Sequence, residues 1–201
     1  MAKPFIFISL DVEATGVSPA TASCVMIGAV AMLSNVNPDE CDYVVDKKQW
    51  CIKEQEGKSI EPRCWNEFWS KNMNVWEHIK ANEQPVEVVM KEFADWYKDL
   101  SEQYDGCKFV MKPSSYDWQW VYSLYDQYGP ENKPVLPFSN ICLSTLISYV
   151  TKTFKLNYSV LSDALKCPTV NHTHFADDDA HEQGYAYLKL VWLSKNKFND
   201  I

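Results

Sequence analysis

The tightest constraint on this chain is the triplet Asp11-Val12-Glu13, which closes the apolar run Phe5-Ile6-Phe7-Ile8-Ser9-Leu10. Such a run reads as a buried strand. A strand alternates its side chains, so Asp11 and Glu13 point to one face about 7 Å apart. Acidic residues at strand ends are common and mostly solvated, so the company this triplet keeps decides its weight. Gly16 follows, then a second apolar run from Cys24 to Met32, giving strand, turn, strand. Far downstream lie Asp117 and the cluster His174-Phe175-Ala176-Asp177-Asp178-Asp179. Four carboxylates and one histidine are thereby offered to a single site. Carboxylate oxygens suit hard cations such as Mg²⁺ and Mn²⁺, and a metal pair about 3.5–4 Å apart stabilises both oxygens of a phosphodiester displacement.

The remaining pattern is an alternating α/β layout. A third strand is expected near Tyr43-Val44-Val45, and helical patterns over 61–71, 73–81 and 85–100, with Pro85 near the start of the last. Lys108-Phe109-Val110-Met111 reads as a buried strand leading to the Pro113-Ser114-Ser115 turn. Asp117 then opens a helix on which Val121, Leu124 and Tyr125 recur at helical spacing. It lies where a strand gives way to a helix, a frequent address for sites in open α/β sheets. Residues 129–134 read as a loop. His174 stands just ahead of a final helix running through Tyr185, Leu188 and Val191.

At 201 residues and 46% hydrophobic content the chain forms one domain, 1–201, with a sizeable core. No run approaches the ~20 apolar residues of a membrane span, so no membrane partner is expected. Seven cysteines without a zinc spacing fit reduced thiols in the cytoplasm. The net charge of −8 argues against a long basic tract that tracks a duplex. Four of those charges would be neutralised by metals. Gripping a few terminal nucleotides needs little basic surface, and Lys112 and Lys155 read as solvated lysines.

Together, Asp11-x-Glu13 with Thr15-Gly16, the middle Asp117 and His174-x-Ala176-x-x-Asp179 resemble the three motifs of the DEDDh 3′-to-5′ exonucleases of the ribonuclease-H-like superfamily. The resemblance spans Phe5 to Trp192. Between the first two motifs, Cys64-Trp65-Asn66-Glu67-Phe68-Trp69 and Ser115-Tyr116-Asp117-Trp118 are similar to the branch containing phage exonuclease A and related bacterial ribonucleases. Members of that branch differ in whether they degrade RNA or DNA.

The resemblance implies a mixed central sheet flanked by helices. It also implies two divalent cations, Mg²⁺ or Mn²⁺, held by Asp11, Glu13, Asp117 and Asp179, with Asp11 bridging and His174 as general base. The substrate would be single-stranded nucleic acid with a free 3′-hydroxyl. Backbone near Ala14 and Thr15 would meet the terminal nucleotide, with Val17 against its base. Ala14 stands where many relatives have threonine, which removes a hydroxyl contact there. Phe68, Trp69 and Trp118 are candidate stacking rings, although most rings in a chain with eight tryptophans belong in the core. A monomer and a homodimer both remain open.

Three rival readings stand beside this one. A binding or proofreading module would lack catalysis, but all five motif residues are present. A small-substrate phosphoesterase would use similar carboxylates. A zinc site at His172, His174 and His181 has no recognised ligand spacing behind it.

Overall fold

The computed structural model describes residues 2–196. Five strands form one mixed sheet in the order β3-β2-β1-β4-β5. The first three, β1 (Phe5–Ala14), β2 (Cys24–Leu33) and β3 (Val44–Cys51), are antiparallel neighbours. β4 (Asp105–Met111) pairs in parallel with β1, and the two-residue β5 (Ile141–Cys142) pairs in parallel with β4. Between β3 and β4 lie α1 (Pro62–Glu67), a 3₁₀ turn (Trp69–Lys71), α2 (Met73–Asn82) and α3 (Val86–Gln103). Then come α4 (Ser114–Tyr128), α5 (Leu143–Thr153), α6 (Tyr158–Ala164) and α7 (Ala176–Asn196). The expected mixed sheet flanked by helices is the one that forms.

Alternation along β1 sorts the layers. Ile6, Ile8, Leu10, Val12 and Ala14 enter a core with Val89, Met90 and Phe93 of α3 and Trp120 and Val121 of α4. Phe7 enters the opposite core with Val30 and Met32 of β2, beneath Leu143 of α5 and Leu188 and Leu190 of α7. Asp11 and Glu13 are in phase with Phe7 and therefore fall on the α7 face. A third, aromatic cluster gathers Val25, Met26, Trp69, Val75 and Ile79, with Phe68 and Phe175 packed against it.

Two glycines let α7 sit close to the sheet. A Cβ on Gly28 would lie 2.0 Å from the carbonyl carbon of Ala176, the first residue of α7, and one on Gly184 would lie 2.7 Å from Met32 Cε. Gly28 pairs with Asp11 across β1 and β2, so the closest approach falls beside the acidic triplet.

The structure departs from the sequence pattern in three places. The third strand runs on to Cys51 through Asp46, Lys47 and Gln49, because an edge strand tolerates polar side chains. The expected helix over 61–71 breaks at Phe68, whose φ of −124° is not helical. Residues 141–164, to which the sequence pattern assigns no element, form β5, α5 and α6. Among the described residues no helix is long and apolar enough to cross a membrane.

Gly28→Ala is expected to cost at least the roughly 1–3 kcal/mol typical of overpacking, because the obstructing atoms are backbone. Urea denaturation checks it: unchanged stability would mean that α7 does not need this contact.

Candidate active site

The site begins where the sheet opens. β4 pairs with β1 only as far as Ser9 opposite Val110, which leaves the next backbone groups of β1 without a strand partner on that side. Two side chains take over. Gln183 of α7 donates from Nε2 to the Leu10 carbonyl at 2.9 Å, and the Val12 amide donates to the Asp117 carboxylate of α4. Both neighbouring helices are thus tied to the stretch of β1 that carries Asp11.

The four expected carboxylates meet there. Asp11, Glu13 and Asp179 each bring an oxygen within 4.8 Å of the others, and Asp117 joins from the α4 side. Unit charges about 4–5 Å apart repel by roughly 3–4 kcal/mol at an effective dielectric of about 20, so full ionisation needs a counter-charge. Burial, then Asp117, Glu13 and Asp179, hold the Asp11 carboxyl well above the usual range. Burial, Asp179 and Asp117 do the same to Glu13. Burial pushes Asp117 up to about 7 against the opposing Val12 hydrogen bond. Asp179 also rises through burial, restrained by the Thr173 amide and the two nearby histidines.

Asp117 supplies the test of whether this pocket suits a metal. It is 2% exposed, and its Oδ2 is buried with no hydrogen-bond partner among the described residues. An orphaned carboxylate oxygen beside three more carboxylates is a hard, all-oxygen donor set, and it fits Mg²⁺ or Mn²⁺.

His174 is placed by the turn before α7. Asp179 reaches back to accept from the amides of Thr173 (2.9 Å) and His174 (3.2 Å), which holds His174 at φ 62°. Its ring packs edge-on against Phe68 with centroids 4.9 Å apart. Burial, then the neighbouring His172, lower its affinity for a proton, which favours the neutral imidazole. His172 lies closer to the carboxylates than the motif suggests, with Nδ1 3.1 Å from Asp179 Oδ1 and 3.4 Å from Glu182 Oε2. His181 is elsewhere, hydrogen-bonded to the Tyr43 hydroxyl at 2.9 Å, so the rival trio His172, His174 and His181 does not assemble.

Asp177 and Asp178 turn away from the cluster. Lys47 of β3 bonds both, at 2.7 Å each, and Gln49 donates to Asp177 at 2.8 Å. Of three consecutive aspartates, Asp179 alone faces the site.

The substrate candidates divide by exposure. Val17 is 57% exposed, and Phe68 is half-buried beside His174. Trp69 is fully buried and donates from its indole to the Ala14 carbonyl at 3.1 Å, so it braces β1 from behind. Thr15 is also enclosed: its amide bonds the Ser23 carbonyl, its carbonyl accepts from Glu61, and its hydroxyl accepts from Ser23 N. Neither residue offers a free polar group to a nucleotide. Trp118 is half-buried between Phe109 and Tyr122. A cleft of about 260 Å³ opens on the other side, where Asp11, Asp179, Glu182, His172 and Lys112 line it. Glu182 and Gln183 escape motif reading; their only signal is helical spacing from Asp179 on α7.

No protein-family model and no curated protein sequence matches the chain. Solved structures do. The nuclease domain of 3′hExo, a DEDDh family member, bound to rAMP, superposes with a TM-score of 0.61 at 15% identity, over 96% of this chain and 94% of that one. The chain shares the fold of that nuclease domain. The zinc-bound E. coli ExoI–ssDNA complex aligns with a TM-score of 0.66 at 11% identity, over 98% of this chain but 42% of ExoI. A full-length 3′-exonuclease gives 0.62 at 14% identity, over 95% of this chain and 62% of that one. At these identities the likeness to the exonucleases is one of fold.

The raised carboxyls predict an inverted pH dependence for the metal-free protein. A carboxyl held above its unfolded value contributes stability while protonated, and that contribution is lost as pH rises through the folded value. Asp11→Asn removes one of the repelling charges. Its melting temperature should match wild type near pH 4 and exceed it by about 2–8 °C near pH 8, the shift that ~1–2 kcal/mol produces in a chain of this size. Saturating Mg²⁺ or Mn²⁺ should abolish that advantage. Thermal denaturation followed by circular dichroism checks it, and a pH-independent difference would sink the repulsion argument.

Proposed function

We propose that residues 1–201 act as one 3′-to-5′ exonuclease domain. It hydrolyses the 3′-terminal phosphodiester of single-stranded RNA or DNA, or of a 3′ overhang, and releases nucleoside 5′-monophosphates. The observation that carries this reading is the convergence of Asp11, Glu13, Asp117 and Asp179 with His174 at the open end of β1. The fold is shared with proteins whose structures hold rAMP or ssDNA, which supports the same substrate class here.

Asp11, Glu13, Asp117 and Asp179 would hold two divalent cations, Mg²⁺ or Mn²⁺, which supply charge stabilisation for the attacking and leaving oxygens. The protein residues do the rest. His174, kept neutral by burial and steadied by Phe68, accepts the proton of the attacking water. Val17 and the exposed edge of Phe68 form the apolar contacts for the terminal base, while Trp69 holds the Ala14 carbonyl behind them. Lys112 stands on the cleft wall, where it meets a backbone phosphate upstream of the cut. Lys166 also lines the cleft but is held by Asp163 at 2.7 Å, so with few cations on the wall and a net charge of −8 the grip extends over few nucleotides. The seven cysteines, all free among the described residues, suit work in the reducing cytoplasm.

A 5′-labelled single strand should give a ladder shortened from its 3′ end, chelator should stop it, and a covalently closed single-stranded circle should survive. Efficient cutting of the circle would point to an endonuclease, and binding without shortening would point to a non-catalytic module.

His174→Ala should lower single-turnover rates by roughly 10²–10⁴, the scale of a positioned acid–base group, while affinity for Mg²⁺ or Mn²⁺ persists. His181→Ala, at the Tyr43 contact, should change the rate little. Equal losses in the two variants would remove His174 from the role of base.

A further inference from the structure

The turn ahead of α7 builds a second kind of metal environment against the first. The left-handed conformation of His174 and the two amides held by Asp179 fold the turn back, so that the rings of His172 and His174 lie with centroids 4.5 Å apart at 78°. Both present Nδ1 to the same carboxylate, His172 at 3.1 Å from Asp179 Oδ1 and His174 at 4.0 Å from Oδ2. One ligand atom from each of His172, His174 and Asp179 lies within 4.8 Å of the other two. Glu182, one turn along α7 from Asp179, brings Oε2 to 3.4 Å from His172 Nδ1 and stands on the remaining side. His172 is 58% exposed along its side chain, so an ion has a path in from solvent.

Two imidazoles with one or two carboxylates form a mixed nitrogen and oxygen set. Zinc takes such sets in tetrahedral geometry with bonds of about 2.0–2.2 Å, whereas Mg²⁺ and Mn²⁺ favour oxygen. Ligand atoms around a tetrahedral zinc sit about 3.3–3.6 Å apart on those bond lengths. The spacings here bracket that range, and small rotations of the two rings close the difference.

We infer that His172, His174 and Asp179, with Glu182 beside them, form a zinc-selective site that overlaps the carboxylate cluster and switches the protein off. The chemistry of inhibition follows from the imidazole itself. A neutral ring bound to a metal through one nitrogen carries its hydrogen on the other, and no lone pair remains to take a proton from water. Zinc also claims Asp179, which the carboxylate cluster shares. The inhibitory consequence rests on the exonuclease reading; the zinc site itself does not.

Cobalt(II), whose absorption intensifies on tetrahedral nitrogen ligation, separates the two. In excess Mg²⁺ the wild-type protein should bind one Co²⁺ with an intensified visible band, and one equivalent of Zn²⁺ should bleach it. His172→Ala should lose the band and weaken Zn²⁺ binding by about 10-fold or more in calorimetry. Its Mg²⁺-driven hydrolysis, scaled to its own zinc-free rate, should resist Zn²⁺ by a similar factor. A band and an inhibition constant unchanged by His172→Ala would overturn the proposal and place zinc on the carboxylates alone. Loss of the band in a protein that shows no hydrolysis at all would uphold the zinc site and sink the exonuclease reading instead.

Discussion

The architecture depends on how closely α7 lies on the sheet. Ala176 passes Gly28 at a distance that no side chain permits, and Gly184, eight residues on, lets the helix keep that closeness over Met32 and Ser9. The Gln183 bond to Leu10 then fixes α7 against sliding along β1. Interiors pack as densely as organic crystals, so a helix seated this way transmits position with little slack. Asp179 reaches Asp11 and Glu13 because α7 is held there, and the turn bearing His174 is shaped because Asp179 is held in turn.

That seating opposes a local electrostatic cost. Burial raises the proton affinity of all four carboxyls, Asp117 and Asp179 raise Asp11 and Glu13 further, and only packing elsewhere keeps them together. The cores on both faces of the sheet provide it, with Phe93, Phe109 and Trp120 on one side and Phe7, Leu143 and Leu188 on the other. Lys47 contributes in a different way. By drawing Asp177 and Asp178 toward β3 it takes two negative charges off the approach to the cluster and leaves Asp179 to serve it. Such strain, held at one place and offset by the surrounding fold, is characteristic of functional sites.

Much of this was legible before any coordinates. Period-two alternation put Asp11 and Glu13 on one face, and the spacing of His174 and Asp179 across a helix start brought them to the same recess. What escaped was whatever depends on long-range geometry. The seat at Gly28 shows in sequence only as a glycine inside an apolar strand, a sign of close backbone approach that names no partner. Trp69 reads as a substrate contact because an indole can stack on a base, and Thr15 because the resemblance places its backbone at the terminal nucleotide, whereas burial and occupied hydrogen bonds turn both inward. His172 carries no motif, and it comes within reach of Asp179 because the backbone turns back at His174. The short β5, α5 and α6 were not assigned from the sequence at all, and Ile147 of α5, Tyr158 of α6 and Leu165 just beyond it line the cleft.

The opening between β1 and β4 has one more result. Where an ordinary sheet would pair Val12 with a neighbouring strand, its amide instead bonds a carboxylate of the site. A main-chain proton of the central strand is therefore shared with a carboxylate of the cluster, and its nuclear magnetic shielding depends on the charge that Asp117 carries. The Val12 amide resonance is a built-in gauge of what occupies the recess, readable at a single backbone position without a label on metal or nucleotide.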